Sequence, residues 1–455
     1  MVARDDLLHA DKLAAKAQGL LNPARPAHAA YVYHAMSILA LKRGDFALAI
    51  EQGRSAVALA VVSGSRIAEA LCYVPLLYAL VLGGQYREAT ERGYYLSTLV
   101  APTCMRRFEC DVLLARALIA LAEQKRDSAL TFLREAFTHL APMAHISTLR
   151  DMPALLPRLS AEALRAGFET ELVRRVIKAR NFPAPEEDID GWPWPIKIRT
   201  LGHFEIVRDE VPLEFSRKTP KKPLEVLKAI VAHGERPVES GQLVTQLWLE
   251  LDGDASANAL EVALHRLRKL LGHNGAVVVK DSRIGLNVNL VRVDCWAFER
   301  LCRWIEKNDT ELVNIDVANR ISGRLYSLYQ GDFLAGEDAP WAISARRRLG
   351  SKFIRSVAAL GRALESAADW QSATMLYRRA TELEPLAEEL HQHLMRIYYA
   401  QGRVAEALQA YHQFRQLLAA ALEIAPSLAT QSLYRTITQS APVLRPSSGA
   451  PGRFN

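Results

Sequence analysis

The chain has 455 residues, half of them apolar and 24% charged, with 57 Lys and Arg against 50 Asp and Glu. Such a composition belongs to globular domains with real cores and excludes low-complexity and collagen-like chains. The net charge of +7 favours an anionic partner only weakly, because many basic proteins touch neither nucleic acid nor membrane.

The opening MVARDDLLHADK puts acids where a secretory signal needs basic and then apolar residues, so a cytoplasmic protein is expected. The uncharged run after Ala70 contains Pro75 and Gly83-Gly84 and is short for a spanning helix, so it reads as packed helices and no membrane partner is expected. Cys72, Cys104, Cys110, Cys295 and Cys302 form no C-x-x-C pair and fit reduced core positions better than disulfides or zinc.

Residues 1–180 are helical in pattern and carry an internal echo. GDFALAI at Gly44 and GQYREAT at Gly84 lie forty residues apart, and Ala129 continues the series of Ala49 and Ala89. A small residue three positions after an aromatic lets the helices of a hairpin approach closely, as Ala49 follows Phe46 and Ala89 follows Tyr86. The third repeat has Arg126 in place of the aromatic. Tetratricopeptide-like helical repeats are therefore expected over 1–180.

NFPAPEEDIDGWPWP, residues 181–195, reads as a Pro-rich acidic linker. The period then changes. IKIRTLGHFEIVR and VPLEF alternate as short strands, Thr219-Pro220 marks a helix start, and Ser240 to Trp248 forms a second helix before the acidic loop LELDGDAS. In the third helix, ALEVALHRLRKLLG, Leu260, Leu264, Leu267 and Leu271 step by four, three and four as one buried stripe. AVVVK and GLNVNL close the segment as a hairpin around Asp281-Ser282-Arg283. Strands, three helices and a hairpin, with the third helix most basic, is the order of a winged helix over 196–290.

That segment carries fourteen Lys and Arg against twelve Asp and Glu, so placement rather than total charge carries the DNA-binding reading. Lys218, Lys221 and Lys222 cluster with Arg217 before the first helix. Asn258, His265, Arg266, Arg268, Lys269 and Arg283 gather with Lys280 on the third helix and wing. The expectation is that Asn258, His265 and Arg268 face the groove, while Arg266 pairs with an acid such as Asp281 or grips a phosphate.

At the C-terminus ADWQSATMLYRRATELEP and QGRVAEALQAYHQFRQLL place Ala373 and Ala407 thirty-four residues apart, the tetratricopeptide period. Trp370 and Val404 are expected to pack beside them, and Pro385 closes the first repeat. The whole chain thus reads as mostly α, with two helical-repeat regions flanking an α+β winged helix.

LEVALHRLRK resembles the Val-x-Val-His-Ile-x-Arg-Leu-Arg-Lys recognition helix of the OmpR-type winged helix found in regulators with a bacterial transcriptional activator domain. RTLGHFEI and QLVTQLW resemble the start and second helix of such domains. GDFLAGEDAPW, the helix after it, the repeats and APS resemble the activator domain of antibiotic regulatory (SARP-type) proteins over 291–440, leaving 441–455 as a disordered tail. The first 180 residues with the WPWP junction resemble the tail of MalT-like regulators, which carry a nucleotide-binding domain.

The departures are Ala263, where the family has histidine, and Ala257, where many relatives have arginine; each implies a missing DNA contact. The resemblance implies a DNA-binding transcriptional activator, whose partners are double-stranded DNA, RNA polymerase near the 250–254 loop, and a protein or small-molecule effector at the repeats. No G-x-x-x-x-G-K-[ST], H-E-x-x-H or G-x-S-x-G occurs, so no cofactor, metal ligand or catalytic residue is assigned. The competing reading is a helical-repeat scaffold whose winged helix binds protein.

Overall fold

Left-handed turns at fixed intervals organise the first third of the chain. The computed structural model describes residues 4–22, 24–101, 106–140, 155–180, 182–184, 189, 191–215, 221–248 and 253–440. It divides into two compact units, residues 1–193 and 194–455.

In the first unit lie α1 (Arg4–Gly19), α2 (Pro26–Arg43), α3 (Phe46–Val62), α4 (Arg66–Leu82), α5 (Tyr86–Val100), α6 (Arg106–Ala122), α7 (Arg126–Leu140), α8 (Leu155–Arg165) and α9 (Thr170–Arg180). Helices α2–α3, α4–α5 and α6–α7 pack as hairpin partners, and α4 also packs on α2 and α6. Gly44, Gly84 and Gln124 take φ of 78°, 75° and 61°, so the forty-residue period is a period of left-handed helix ends. Glycine adopts this conformation freely; Gln124 does so at a cost of about 1 kcal/mol, in keeping with the weaker third repeat.

Ala49, Ala89 and Ala129 are fully buried, and the Ser37 hydroxyl donates to the Ala49 carbonyl at 2.8 Å. Helix α4 is buried from Ala68 to Val81 apart from half-buried Leu71, so the uncharged run of the sequence is this unit's central helix. Among the described residues no helix is long and apolar enough to cross a membrane. Cys72, Cys110, Cys295 and Cys302 are buried thiols outside any disulfide; Cys104 lies outside the described residues.

Of the expected exposed linker, the acidic run lies outside the described residues, Pro183 and Gly191 are exposed, and the part around the two tryptophans is not. Ile189, Trp192, Pro193 and Trp194 are all buried, and the Arg174 guanidinium donates to the Gly191 carbonyl at 2.8 Å.

In the second unit, β1 (Ile196–Arg199), β2 (Glu205–Arg208), β3 (Val211–Pro212) and β7 (Val291–Val293) form a sheet in the order β3-β2-β1-β7, with β1 and β7 parallel. Three helices come after β3: α10 (Lys221–His233), α11 (Ser240–Leu247) and α12 (Gly253–Leu271). A second sheet, ordered β4-β6-β5, holds β4 (Val238–Glu239), β6 (Arg283–Leu286) and β5 (Val277–Lys280). Its β5–β6 hairpin turns at Asp281 and Ser282, with φ of 50° and 58°, the primed geometry that matches strand twist.

The chain continues through α13 (Asp294–Lys307), α14 (Asp309–Leu312), α15 (Ile315–Leu328), α16 (Pro340–Ser366), α17 (Trp370–Leu383), α18 (Glu388–Ala400), α19 (Val404–Leu422) and α20 (Leu428–Ser440). Ala368 and Gly402 repeat the left-handed turn thirty-four residues apart, and Ala373 and Ala407 are fully buried. Trp370 departs from the expected packing role: it is 38% exposed at its helix start.

One apolar core runs from Ile196 to Ile437, so the winged helix and the C-terminal helices share it. Asp294, at the start of α13, accepts hydrogen bonds from Thr200 N and Oγ1 (both 2.7 Å), Leu201 N (2.9 Å) and Cys295 N (2.7 Å). Burial nevertheless holds its carboxyl above the usual range. Gly202 donates its N–H to the Asp332 carbonyl at 3.1 Å, and a Cβ on Gly202 would stand 3.1 Å from the Gln330 backbone.

The C-terminal helices are expected to lose stability in acid. His393 stacks on Tyr377 with centroids 4.9 Å apart, and burial, with Arg396 and Arg362 nearby, lowers its pKa from 6.5 to about 4 despite a Glu389 oxygen at 3.9 Å. The unfolded chain takes up the proton first, so this contribution is present above pH 6.5 and is lost as pH falls from 6.5 toward 4. Roughly 2 kcal/mol should disappear between about pH 7.5 and about pH 5, and His393→Gln should flatten that part of the unfolding profile.

Candidate nucleic-acid interface

Helix α12 has two opposed stripes. Leu260, Leu264, Leu267 and Leu271 are buried as expected, joined by Ala263. Asn258, Val262, His265 and Lys269 step by the same four, three and four, two residues out of phase with Leu260, Leu264, Leu267 and Leu271, and all four are exposed. A two-residue offset on a helix turns about 200°, which sets this ridge opposite the core. Arg266 is exposed on its flank and Glu261 on the other.

Asn258, His265, Arg266 and Lys269 make no hydrogen bond or ion pair with other described residues. Their polar groups are free for an outside partner. Val262, 44% exposed in the middle of the ridge, was missed from sequence because a valine in a leucine-rich helix reads as core. Continuing the four-three-four spacing from Asn258 would have found it.

Arg268 departs from the groove-facing placement expected of it. Arg268 is half-buried and donates from Nε and a terminal nitrogen to the Val277 carbonyl at 3.3 and 3.2 Å, tying the helix end to the base of the wing. Position 268 falls beside the buried stripe, so its guanidinium turns toward β5. Arg266 has no acid partner, neither Asp281 nor any other described residue. Ala263, expected to mark a missing DNA contact, is buried, so position 263 faces the core.

The flanking cations divide similarly. Lys221 is exposed and unpaired, whereas Lys222 pairs with Glu225 at 2.8 Å and lies 5.1 Å from the Trp248 ring centroid. Lys222, expected as a phosphate contact, is thus engaged by a surface acid and a ring of its own domain. On the wing Lys280 is free, and Arg283 makes an exposed pair with Glu239 at 3.2 Å, weak enough to be exchanged for a phosphate. Lys218, the Thr219-Pro220 helix start and most of the 250–254 loop lie outside the described residues, as does the 441–455 tail.

Arg346 and Arg348, in the basic run of α16, are absorbed by the fold. Arg346 donates to the Phe333, Leu334 and Glu337 carbonyls at 2.7 to 3.0 Å, and Arg348 to the Ala232 carbonyl at 3.0 Å.

A helix-turn-helix with a wing, continuous with a helical-repeat domain, is a winged-helix module joined to tetratricopeptide-like repeats. Residues 293–438 match the bacterial transcriptional activator domain, so the chain carries one. It is 28% identical over 277 residues to the regulatory protein AfsR of Streptomyces coelicolor, a match covering 59% of this chain and 26% of that protein. The corresponding protein of Streptomyces griseus is 26% identical over 208 residues, covering 44% and 20%. The chain thus spans about a quarter of the length of these relatives. A solved structure of Mycobacterium tuberculosis EmbR with a low-affinity phosphopeptide aligns at 21% identity and a TM-score of 0.43, covering 55% of this chain and 66% of that one.

Proposed function

We propose that the protein is a sequence-specific DNA-binding transcription regulator, an activator acting in the cytoplasm, whose helix α12 enters the major groove. The observation that carries this reading is the exposed, unpartnered ridge of Asn258, Val262, His265 and Lys269 with Arg266 beside it. Asn, His, Arg and Lys supply hydrogen bonds to base edges and phosphates, and a valine supplies apolar contact to a thymine methyl. Lys221, Lys280 and Arg283 then grip phosphates on either side. The activator domain over 293–438 and the relatives named regulatory proteins support the same assignment.

The helical repeats of residues 1–180 serve a protein or small-molecule effector and read no bases. RNA polymerase is the partner that an activator requires. An effector regulates here only if it binds one arrangement of the protein better than another.

Selection of bound fragments from genomic DNA with the purified full chain tests the proposal. A recurring motif is expected, with affinity falling steeply with salt as counterions are released. Random recovery with salt-insensitive binding would instead favour a protein-binding scaffold. Within that assay Lys221→Ala should make the salt slope shallower by about one unit, because a free phosphate contact is lost. Lys222→Ala should leave it nearly unchanged, since Glu225 already neutralises that charge. Equal slopes for the two variants would contradict this division.

A further inference from the structure

Near the junction of α14 and α15 and at the start of α17, the activator domain leaves three large apolar side chains in water. Val313 is 70% exposed, Ile315 39% and Trp370 38%. Val313 and Ile315 flank Asn314, whose side chain caps α15 by accepting from Asp316 N at 3.0 Å and Val317 N at 3.3 Å. One turn later the Asn319 amide donates to Asp369 at 3.3 Å, immediately before Trp370. That hydrogen bond brings the first turns of α15 beside the start of α17, with Ile315 one turn before Asn319 and Val313, at the end of α14, two residues before that.

The surrounding charge is negative. Residues 306–316 contain Glu306, Asp309, Glu311 and Asp316 against Lys307 alone, in a chain whose net charge is +7. Glu306 is engaged by Arg355 at 3.9 Å, and Arg320 lies exposed further along α15. Asp309 and Asp316 each sit in a first helical turn, and Asp369 caps α17 by accepting from Ser372 N at 3.1 Å. Helix capping accounts for these acids. It does not account for a valine, an isoleucine and a tryptophan left in solvent among them.

We propose that this face is a docking surface for a basic amphipathic segment of another protein, whose apolar side chains cover Val313, Ile315 and Trp370 while its Lys and Arg meet Asp309, Glu311 and Asp316. Tryptophan and branched apolar side chains inside a charged rim are the arrangement of an interface centre, and the rim selects the sign of the partner. Nucleic acid is the wrong partner here, because the carboxylates repel phosphate. The surface is on the activator helices and does not depend on the DNA reading of α12.

The test uses the full chain and two synthetic helical peptides with the same apolar face, one with a Lys/Arg polar face and one with a Glu/Asp polar face. The basic peptide should bind, weaken with salt, and lose at least tenfold in affinity to Val313→Ser/Ile315→Ser and to Glu311→Gln/Asp316→Asn. The acidic peptide should bind neither the parent nor the variants. All variants should keep the parent Tm and the parent's retention on DNA, which separates failure here from failure of the DNA reading. Equal binding of both peptides, or basic-peptide binding indifferent to the variants, would overturn the proposal. So would a photo-cross-linker at position 315 that joins two copies of this chain in place of the peptide.

Discussion

A fragment ending at Leu290 is expected not to fold as a winged helix. The cut removes β7, the parallel partner of β1, and it removes Asp294, to which Thr200 and Leu201 give three hydrogen bonds. It also takes away the Trp296 indole from the Val231 carbonyl (3.0 Å), Arg348 from the Ala232 carbonyl, and Glu337 from Lys228 (2.8 Å). Trp296, Phe298 and Phe333, buried in the shared core, go as well, each worth about 1.5 to 3 kcal/mol of burial. Together with the orphaned donors this approaches the whole stability of a small domain, about 5 to 15 kcal/mol. Residues 194–290 should show no cooperative melting by circular dichroism, whereas residues 194–440 should melt in one transition. A sharp transition in the short fragment would show that the winged helix folds without the activator helices.

Arg266→Ala and Arg268→Ala are expected to separate binding from stability. Arg266→Ala should weaken binding to the preferred DNA by about 1 to 3 kcal/mol and flatten discrimination among sequences while Tm stays put. Arg268→Ala removes two charge-assisted hydrogen bonds to the Val277 carbonyl and should cost about 1 to 3 kcal/mol of folding stability with sequence preference retained. Selection of bound sequences and thermal melting on the same two proteins measure both. If Arg268→Ala changed the preferred sequence at unchanged Tm, the assignment of the two arginines would be reversed.

Much of the architecture is written in local periods, because a helical repeat is set by residues that meet within one hairpin. The forty-residue series of Ala49, Ala89 and Ala129, and the thirty-four-residue pair Ala373 and Ala407, mark buried helix crossings wherever they occur. The stripe of Leu260, Leu264, Leu267 and Leu271 likewise settled which side of α12 faces inward, and by subtraction placed His265, Arg266 and Lys269 outward.

The same subtraction put Arg268 outward and charge clustering offered Lys222 to phosphate, whereas they meet a carbonyl on β5 and an acid and ring gathered by the domain's own packing. A long cationic side chain at the edge of a stripe reaches either water or a nearby acceptor, and only the tertiary structure decides which. Trp192 and Trp194 are the same case in reverse: prolines around them predict an exposed chain, yet both indoles are buried. The sequence by itself thus determined the helical repeats, the winged-helix order and the buried leucine stripe of α12, all products of spacing along one element. The tertiary structure decided which cations are already occupied and that winged helix and activator helices share one core, because those contacts join residues far apart in the chain, as Thr200 and Asp294 do.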